Sequence, residues 1–318
     1  MSSSDALLAD IGGTNVRFAT LKCDGKIINE ESWLTALYPD FASAVLAYGA
    51  CVALKFPLRA AGVCAAGPLL GDAIELTNCA WEISKREIAA STGASKAVLV
   101  NDFAAVARAL PVLPASDLVQ VGGTHAVAGS PKVALGPGTG LGVASAVQGE
   151  GGSWAVAPGE GGHVDLAPTN DRELAIFFQL MRTYGHVSIE RVLSGPGLEN
   201  LYLAIAALDG VGLQAKPMAH DIAKGAHAGT DHIAMETVSI FTAWLGSVAG
   251  NLALTLGARG GVYIAGGIIK QWGSHFDAKL FRHRFEAKGR MRHFLEPIPC
   301  FIVTGENMAF RGLAELIS

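Results

Sequence analysis

Charge is scarce in this chain. Asp, Glu, Lys and Arg together make up 16% of it, against about 25% in ordinary soluble domains. The formal net charge is −4 and no run of Lys and Arg occurs, which argues against nucleic acid as the main partner. Cysteine is also sparse. The five residues Cys23, Cys51, Cys64, Cys79 and Cys300 are an odd number, and no two have C-x-x-C spacing. They read as reduced core thiols of a cytosolic protein, with neither disulfides nor structural zinc expected. A Walker A loop, G-x-x-x-x-G-K-[ST], and the zinc arrangement H-E-x-x-H are both missing. The polar stretch Ser2 to Asp5 lacks a basic segment followed by an apolar one, so no signal peptide is expected. One segment, Thr237 to Gly257, is long, apolar and nearly uncharged, and Gly246 and Gly250 form a G-x-x-x-G pair within it. Its Asn251, its Ser and Thr residues and its mid-chain place favour a buried central helix over a membrane span.

What the chain has is apolar bulk and glycine. Half of its 318 residues are hydrophobic, and its 39 glycines cluster, without period, at the ends of apolar runs. That placement suggests loops where backbone approaches a ligand. The length exceeds one simple core, so two domains are expected. Pro111 and Pro114 interrupt the pattern, placing a boundary near residue 112.

The early chain reads as strand Ala6 to Asp10, a turn at Gly12 to Asn15, strand Val16 to Leu21, a hairpin at Asp24-Gly25, and a third strand near Ile27 to Trp33. A Rossmann start would lead from its Gly-rich turn into a helix instead. A helix capped by Asp40 follows over Phe41 to Lys55, then a strand at Ala61 to Ala65. Ser84 and Glu87 form a capping box for a helix to Ala90. Lys132 to Leu135, the turn Gly136 to Gly142 and Val143 to Gln148 repeat the strand–Gly/Thr turn–strand plan, a weak internal duplication. Helices dominate to Leu256. A strand at Gly261 to Ala265 ends in Gly266-Gly267, and Cys300 to Thr304 and Asn307 to Ile317 are the last strand and helix.

The chain is organised around Ala97 to Val106, AVLVNDFAAV. The aliphatic run reads as a strand buried on both faces, and the Ala-rich part after Phe103 as a helix start. In an open α/β sheet, ligands bind at the carboxyl ends of strands. Asp102 stands there as either a general base or an N-cap. The two Gly/Thr turns suit phosphate, through close backbone N–H groups and a hydroxyl; singly, each could be a plain hairpin. Asp10, just before the first turn, could hold Mg²⁺ directly or through water. Glu160, His163 and Glu190 form a second polar set, suited to a hydroxyl-rich ligand. Gly161 and Gly162 would leave room for a ligand between the first two. Alternatively, Glu190 and Arg191 are a surface pair and His163 is a core histidine.

The motifs ADIGGTNVR, VNDFAAVA, GPGTGLGVA, PGEGGHVDLAP, HVSIERVLSGPGLENLY, GNLALTLG and GGVYIAGGI together resemble the bacterial glucokinase family of proteobacterial type, from about residue 6 to about residue 316. The resemblance implies a ribonuclease-H-like (actin-like) fold with two α/β domains around a cleft. These would be a small domain over 1–112, completed by the C-terminal helix at about 304–318, and a large domain over 113–303. It implies ATP-dependent phosphorylation of glucose at O6 by a cytoplasmic homodimer using Mg²⁺, with no nucleic-acid or membrane partner. Carried over by motif, Asp102 is the base. Asn101, Asp102, Glu160, His163 and Glu190 bind the sugar, in a pocket that closes and excludes water. The first phosphate loop is Ala9, Asp10, Ile11, Gly12, Gly13, Thr14 and Asn15. The second runs from Gly136 to Gly140, with Gly138, Thr139 and Gly140 on the nucleotide. Gly260 to Gly267 is the adenosine segment, ending in Gly266 and Gly267, and Asp10 is the Mg²⁺ residue. The zinc motif and N-terminal helix-turn-helix of the broader repressor/kinase group are not seen. A kinase for another hexose, or a sugar-binding regulator without catalysis, are the rival readings.

Overall fold

The computed structural model describes residues 5–76, 79 and 81–318. The polar stretch Ser2 to Ser4 lies outside the described residues. The chain divides into two compact units. One comprises Met1–Leu113, Trp154–Pro158 and Glu306–Ser318, the other Pro114–Ser153 and Gly159–Gly305.

The first unit is built on a five-stranded sheet in the order Ile27–Leu34, Asn15–Leu21, Ala6–Ile11, Ala60–Ala65, Lys96–Asn101. The first three strands form an antiparallel meander, and the last two run parallel to Ala6–Ile11. Ile11, Ala65 and Asn101 share one level of the register, so Asp10 and Asp102 lie at the same end of the sheet, two strand spacings or roughly 10 Å apart. One face packs on Phe18, Phe41, Tyr48 and Trp81, the other on Phe310, Leu313 and Ile317 of the last helix, Met308–Ile317. The sequence reading expects Ala97 to Val100 to be buried on both faces. Both faces are covered, but only Leu99 is fully buried, because this is the edge strand.

The second unit repeats the plan. Lys132–Pro137 pairs antiparallel with Leu141–Gln148 across the second Gly/Thr turn and parallel with Val262–Ile264, which pairs parallel with Cys300–Val303. The core centres on the helix His232–Leu256, whose apolar window is 67% buried and whose Trp244 is fully buried. Its glycine pair has a packing cause. A Cβ at Gly246 would lie 2.3 Å from the Phe281 carbonyl oxygen, and one at Gly250 2.5 Å from that of Phe285. The helix Ala278–Glu286 therefore rests directly on this backbone.

Several boundaries differ from the sequence reading. The helix expected to reach Lys55 ends at Cys51, where Ala53 turns left-handed (φ 55°) and Phe56 folds back onto Gly49. The expected turn Gly136 to Gly142 shrinks to Gly138–Gly140, its flanks joining the strands. Four short strands escape a pattern reading: Leu69–Leu70, Ala73–Glu75, Glu82–Ser84 and Leu118–Gln120. Two or three residues are too few to show an alternation. Cys23 and Cys51 are exposed, contrary to the expectation of core thiols, because one precedes the Asp24-Gly25 turn and the other ends a helix; Cys64 and Cys300 are buried.

Candidate active site

Asp102 is the first residue of the helix Asp102–Ala109, and its neighbour does the capping. Asn101 Oδ1 accepts the N–H groups of Phe103 at 2.9 Å and Ala104 at 3.3 Å, while Asn101 Nδ2 donates to the Gly67 carbonyl at 3.0 Å. Asp102 Oδ1 accepts the adjacent Phe103 N–H, at 2.8 Å. The half-buried Asp102 carboxylate thus stands at the carboxyl end of a strand whose following helix is capped by another residue.

At the neighbouring strand end, Asp10 is held from two sides. Arg17, opposite it in the hairpin register, donates from Nε at 3.1 Å and makes an ion pair through Nη2. The Cys64 thiol donates to Asp10 Oδ1 at 3.4 Å. Burial, then the negative charges of Asp10 and Asp102, push this thiol well above its usual range, so it stays protonated. Arg17 also donates to Asn307 Oδ1 and lies over the Phe310 ring, tying Asp10 to the last helix. Both Asp10 oxygens already have protein partners, which fits Mg²⁺ held through water better than direct ligation. Among the described residues no cluster of three or more His, Cys, Asp or Glu could hold a metal ion.

The first turn is closed by Gly12 N–H on the Asn15 carbonyl (2.8 Å). It is anchored by Thr35, whose hydroxyl donates to the carbonyls of Gly13 (3.2 Å) and Thr14 (3.1 Å). Thr14 and Asn15 are exposed at its tip, and a cavity of about 520 Å³ opens beside it, lined by Gly13, Thr14, Thr35, Tyr38 and Trp81 among others.

In the second unit, Gly138 N–H donates to the Gly140 carbonyl at 2.8 Å, and the Gly138 carbonyl accepts Gly195 N–H at 2.8 Å. A Cβ at Gly138 would meet nothing within 4 Å, so this side of the turn is open, and Thr139 is exposed. Gly266 lies against Pro137, where an added Cβ would be 2.3 Å from its carbonyl oxygen, and Gly267 faces open space. The end of the segment Gly260 to Gly267 therefore lies beside the Gly138–Gly140 turn.

Glu160 precedes and His163 ends a single 3-10 turn, Gly161–His163, with Glu160 Oε2 4.0 Å from His163 Nε2. Two expectations change here. Gly161 and Gly162 do not leave room for a ligand; they admit strand Leu141–Gln148, since added Cβ atoms would lie 2.9 Å from Val143 Cβ and 2.3 Å from the Leu141 carbonyl oxygen. Nor are Glu160 and His163 in a dry pocket: their side chains are 54% and 61% exposed, because a one-turn 3-10 helix presents both to its surface. That exposure also rules out a core role for His163. Glu190 is not a surface partner of Arg191. Its Oε2 accepts the Leu141 N–H at 2.7 Å, and Arg191 lies over the Tyr184 ring. Arg17, Thr35 and Cys64 carried no role in the sequence reading. Arg17 was accessible to it, since positions 10 and 17 are symmetric about the Gly12–Asn15 turn; Thr35 and Cys64 had no local signal.

A strand–Gly/Thr turn–strand hairpin leading into parallel strands, once in each unit, with Asp10 and Asp102 at strand ends of the first, fits the actin-like fold of sugar kinases. A family model described as Glucokinase matches residues 7–318. The glucokinase of Chromobacterium violaceum is 44% identical over 97% of this chain and 88% of its own, and that of Paramagnetospirillum magneticum 43% identical over 99% and 98%. The crystal structure of a glucokinase from an Antarctic psychrotroph superposes with a TM-score of 0.88 at 33% identity, over 99% of both chains. The chain belongs to the glucokinase family.

Proposed function

We propose that the chain transfers the γ-phosphoryl group of ATP to O6 of glucose, with Asp102 as the general base. Family membership supports the reaction. The observation that carries the role of Asp102 is its place at the carboxyl end of the strand Lys96–Asn101, at the same end of the sheet as Asp10, with the helix capped by Asn101 and not by Asp102.

In this reading Asn101, Glu160, His163 and Glu190 orient the sugar hydroxyls. Asp102 accepts the O6 proton as O6 bonds to the γ-phosphorus and the bond to the bridging oxygen of ADP breaks. Backbone N–H groups and hydroxyls of the two Gly/Thr turns hold phosphate oxygens, and Gly266 and Gly267 border the adenosine. Mg²⁺, held by Asp10 through water, would neutralise phosphate charge. Glu160 and His163 are exposed, so their desolvation comes with the sugar.

Asp102→Asn tests the base directly. Asn101 still caps the helix, so folding and melting stay normal. With the proton acceptor gone, kcat falls at least about 100-fold. Near-normal turnover would remove Asp102 from the chemistry and favour a role in sugar binding alone. The reading also includes a cytoplasmic homodimer. Sedimentation velocity should give twice the chain mass, and a monomer at all concentrations would contradict that part.

A further inference from the structure

Glu190 is tied to the phosphate-type turn as closely as to any sugar-type residue. The 3-10 turn Ile189–Arg191 carries its carboxylate to the first residue after Gly138–Gly140, where Oε2 accepts the Leu141 N–H at 2.7 Å. An added Cβ at Gly140 would lie 2.6 Å from the same oxygen. Pro137 lies opposite Leu141 in the hairpin register, so the carboxylate takes the Leu141 N–H at the rung nearest the turn. The other end of the turn is braced by the same segment. Gly195 N–H donates to the Gly138 carbonyl at 2.8 Å, and Ser194, which caps the helix Gly195–Leu208, donates from Oγ to the Glu190 carbonyl at 2.8 Å. Glu190 Oε1 makes no hydrogen bond among the described residues.

We infer that Glu190 is a positioning residue for the nucleotide turn as well as a sugar ligand: Oε2 fixes the backbone that meets the phosphates, and Oε1 faces the sugar. This rests on the reading that the turn holds nucleotide and that Glu190 touches glucose. One carboxylate then sets the geometry of both substrates. The nearly isosteric replacement by Gln keeps a carbonyl oxygen for the Leu141 N–H, whereas Ala leaves that buried N–H unpaired.

The test is nucleotide binding with no sugar present, measured by titration calorimetry with ATP and Mg²⁺ on the wild type, Glu190→Ala, Glu190→Gln and Glu160→Ala. Glu190→Ala should weaken nucleotide binding about tenfold, the scale of one charge-assisted hydrogen bond. Glu190→Gln should stay within about twofold, and Glu160→Ala should match the wild type. If Glu190→Ala binds nucleotide as the wild type does, the positioning role is wrong while the kinase reading stands. If the wild type itself binds no nucleotide, the kinase reading fails and takes the inference with it. Should Glu190→Ala not fold, Gly140→Ala asks the same question from the other side, because its Cβ displaces Glu190 Oε2. It should weaken glucose binding although Gly140 lies in the nucleotide turn, and unchanged glucose affinity would overturn the inference.

Discussion

At Asp102 two adjacent polar side chains divide the tasks that either could perform. Asn caps helices about as well as Asp, but the sequence reading weighed only Asp102 as the cap. The structure assigns that role to Asn101, whose Oδ1 accepts from Phe103 and Ala104 while Nδ2 donates one hydrogen to the Gly67 carbonyl. At Gly138 the residue scale yields a clean probe. Its backbone is not left-handed and a Cβ there meets nothing, so Gly138→Ala should melt like the wild type. If ATP phosphates approach that face, the methyl group should raise the ATP KM on the order of tenfold, about 1.4 kcal/mol, with the glucose KM nearly unchanged. An unchanged ATP KM would take this turn out of the nucleotide site. The polar residues that face solvent or ligand were legible as types, but their partners were not. Nothing in the spacing of Glu190 and Leu141, 49 positions apart, announces their hydrogen bond.

Elements with a strong local signal were legible in the chain. The meander Ala6–Leu34, the caps Asp40 and Ser84, and the strand–helix unit at Lys96–Ala109 follow from alternation, turn chemistry and capping. The glycines misled where their cause is tertiary. Gly161 and Gly162 admit a strand, and Gly246 and Gly250 admit a helix, causes invisible without the neighbour. Gly312 is the sharpest case: a Cβ on the last helix would lie 1.7 Å from the Ala105 carbonyl oxygen on the helix that begins with Asp102. Gly312→Ala should therefore force these helices apart. Overpacking of this kind costs typically about 1–3 kcal/mol. Calorimetry should show a lower melting temperature, and kcat should fall as Asp102 moves with its helix. Melting at the wild-type temperature would mean that the two helices separate freely, against the packing described.

Across the whole molecule, the strand–turn–strand plan occurs once in each unit, and its repetition was readable because both copies keep a Gly/Thr turn between apolar strands. The same repetition gives this chain its two Gly/Thr turns. The last helix, far along the chain, completes the first unit through Phe310, Leu313 and Ile317. The central claim concerns the activity of this assembly: one phosphoryl group moves from ATP to glucose O6. The measurement that addresses it most directly is a coupled assay for sugar 6-phosphate, run across a panel of hexoses and phosphate donors with Mg²⁺ present. The account predicts glucose 6-phosphate from glucose and ATP at the highest kcat/KM of the panel, with one ADP formed per product. Preference for another hexose or another donor, or ATP consumed without a phosphorylated sugar, would contradict it.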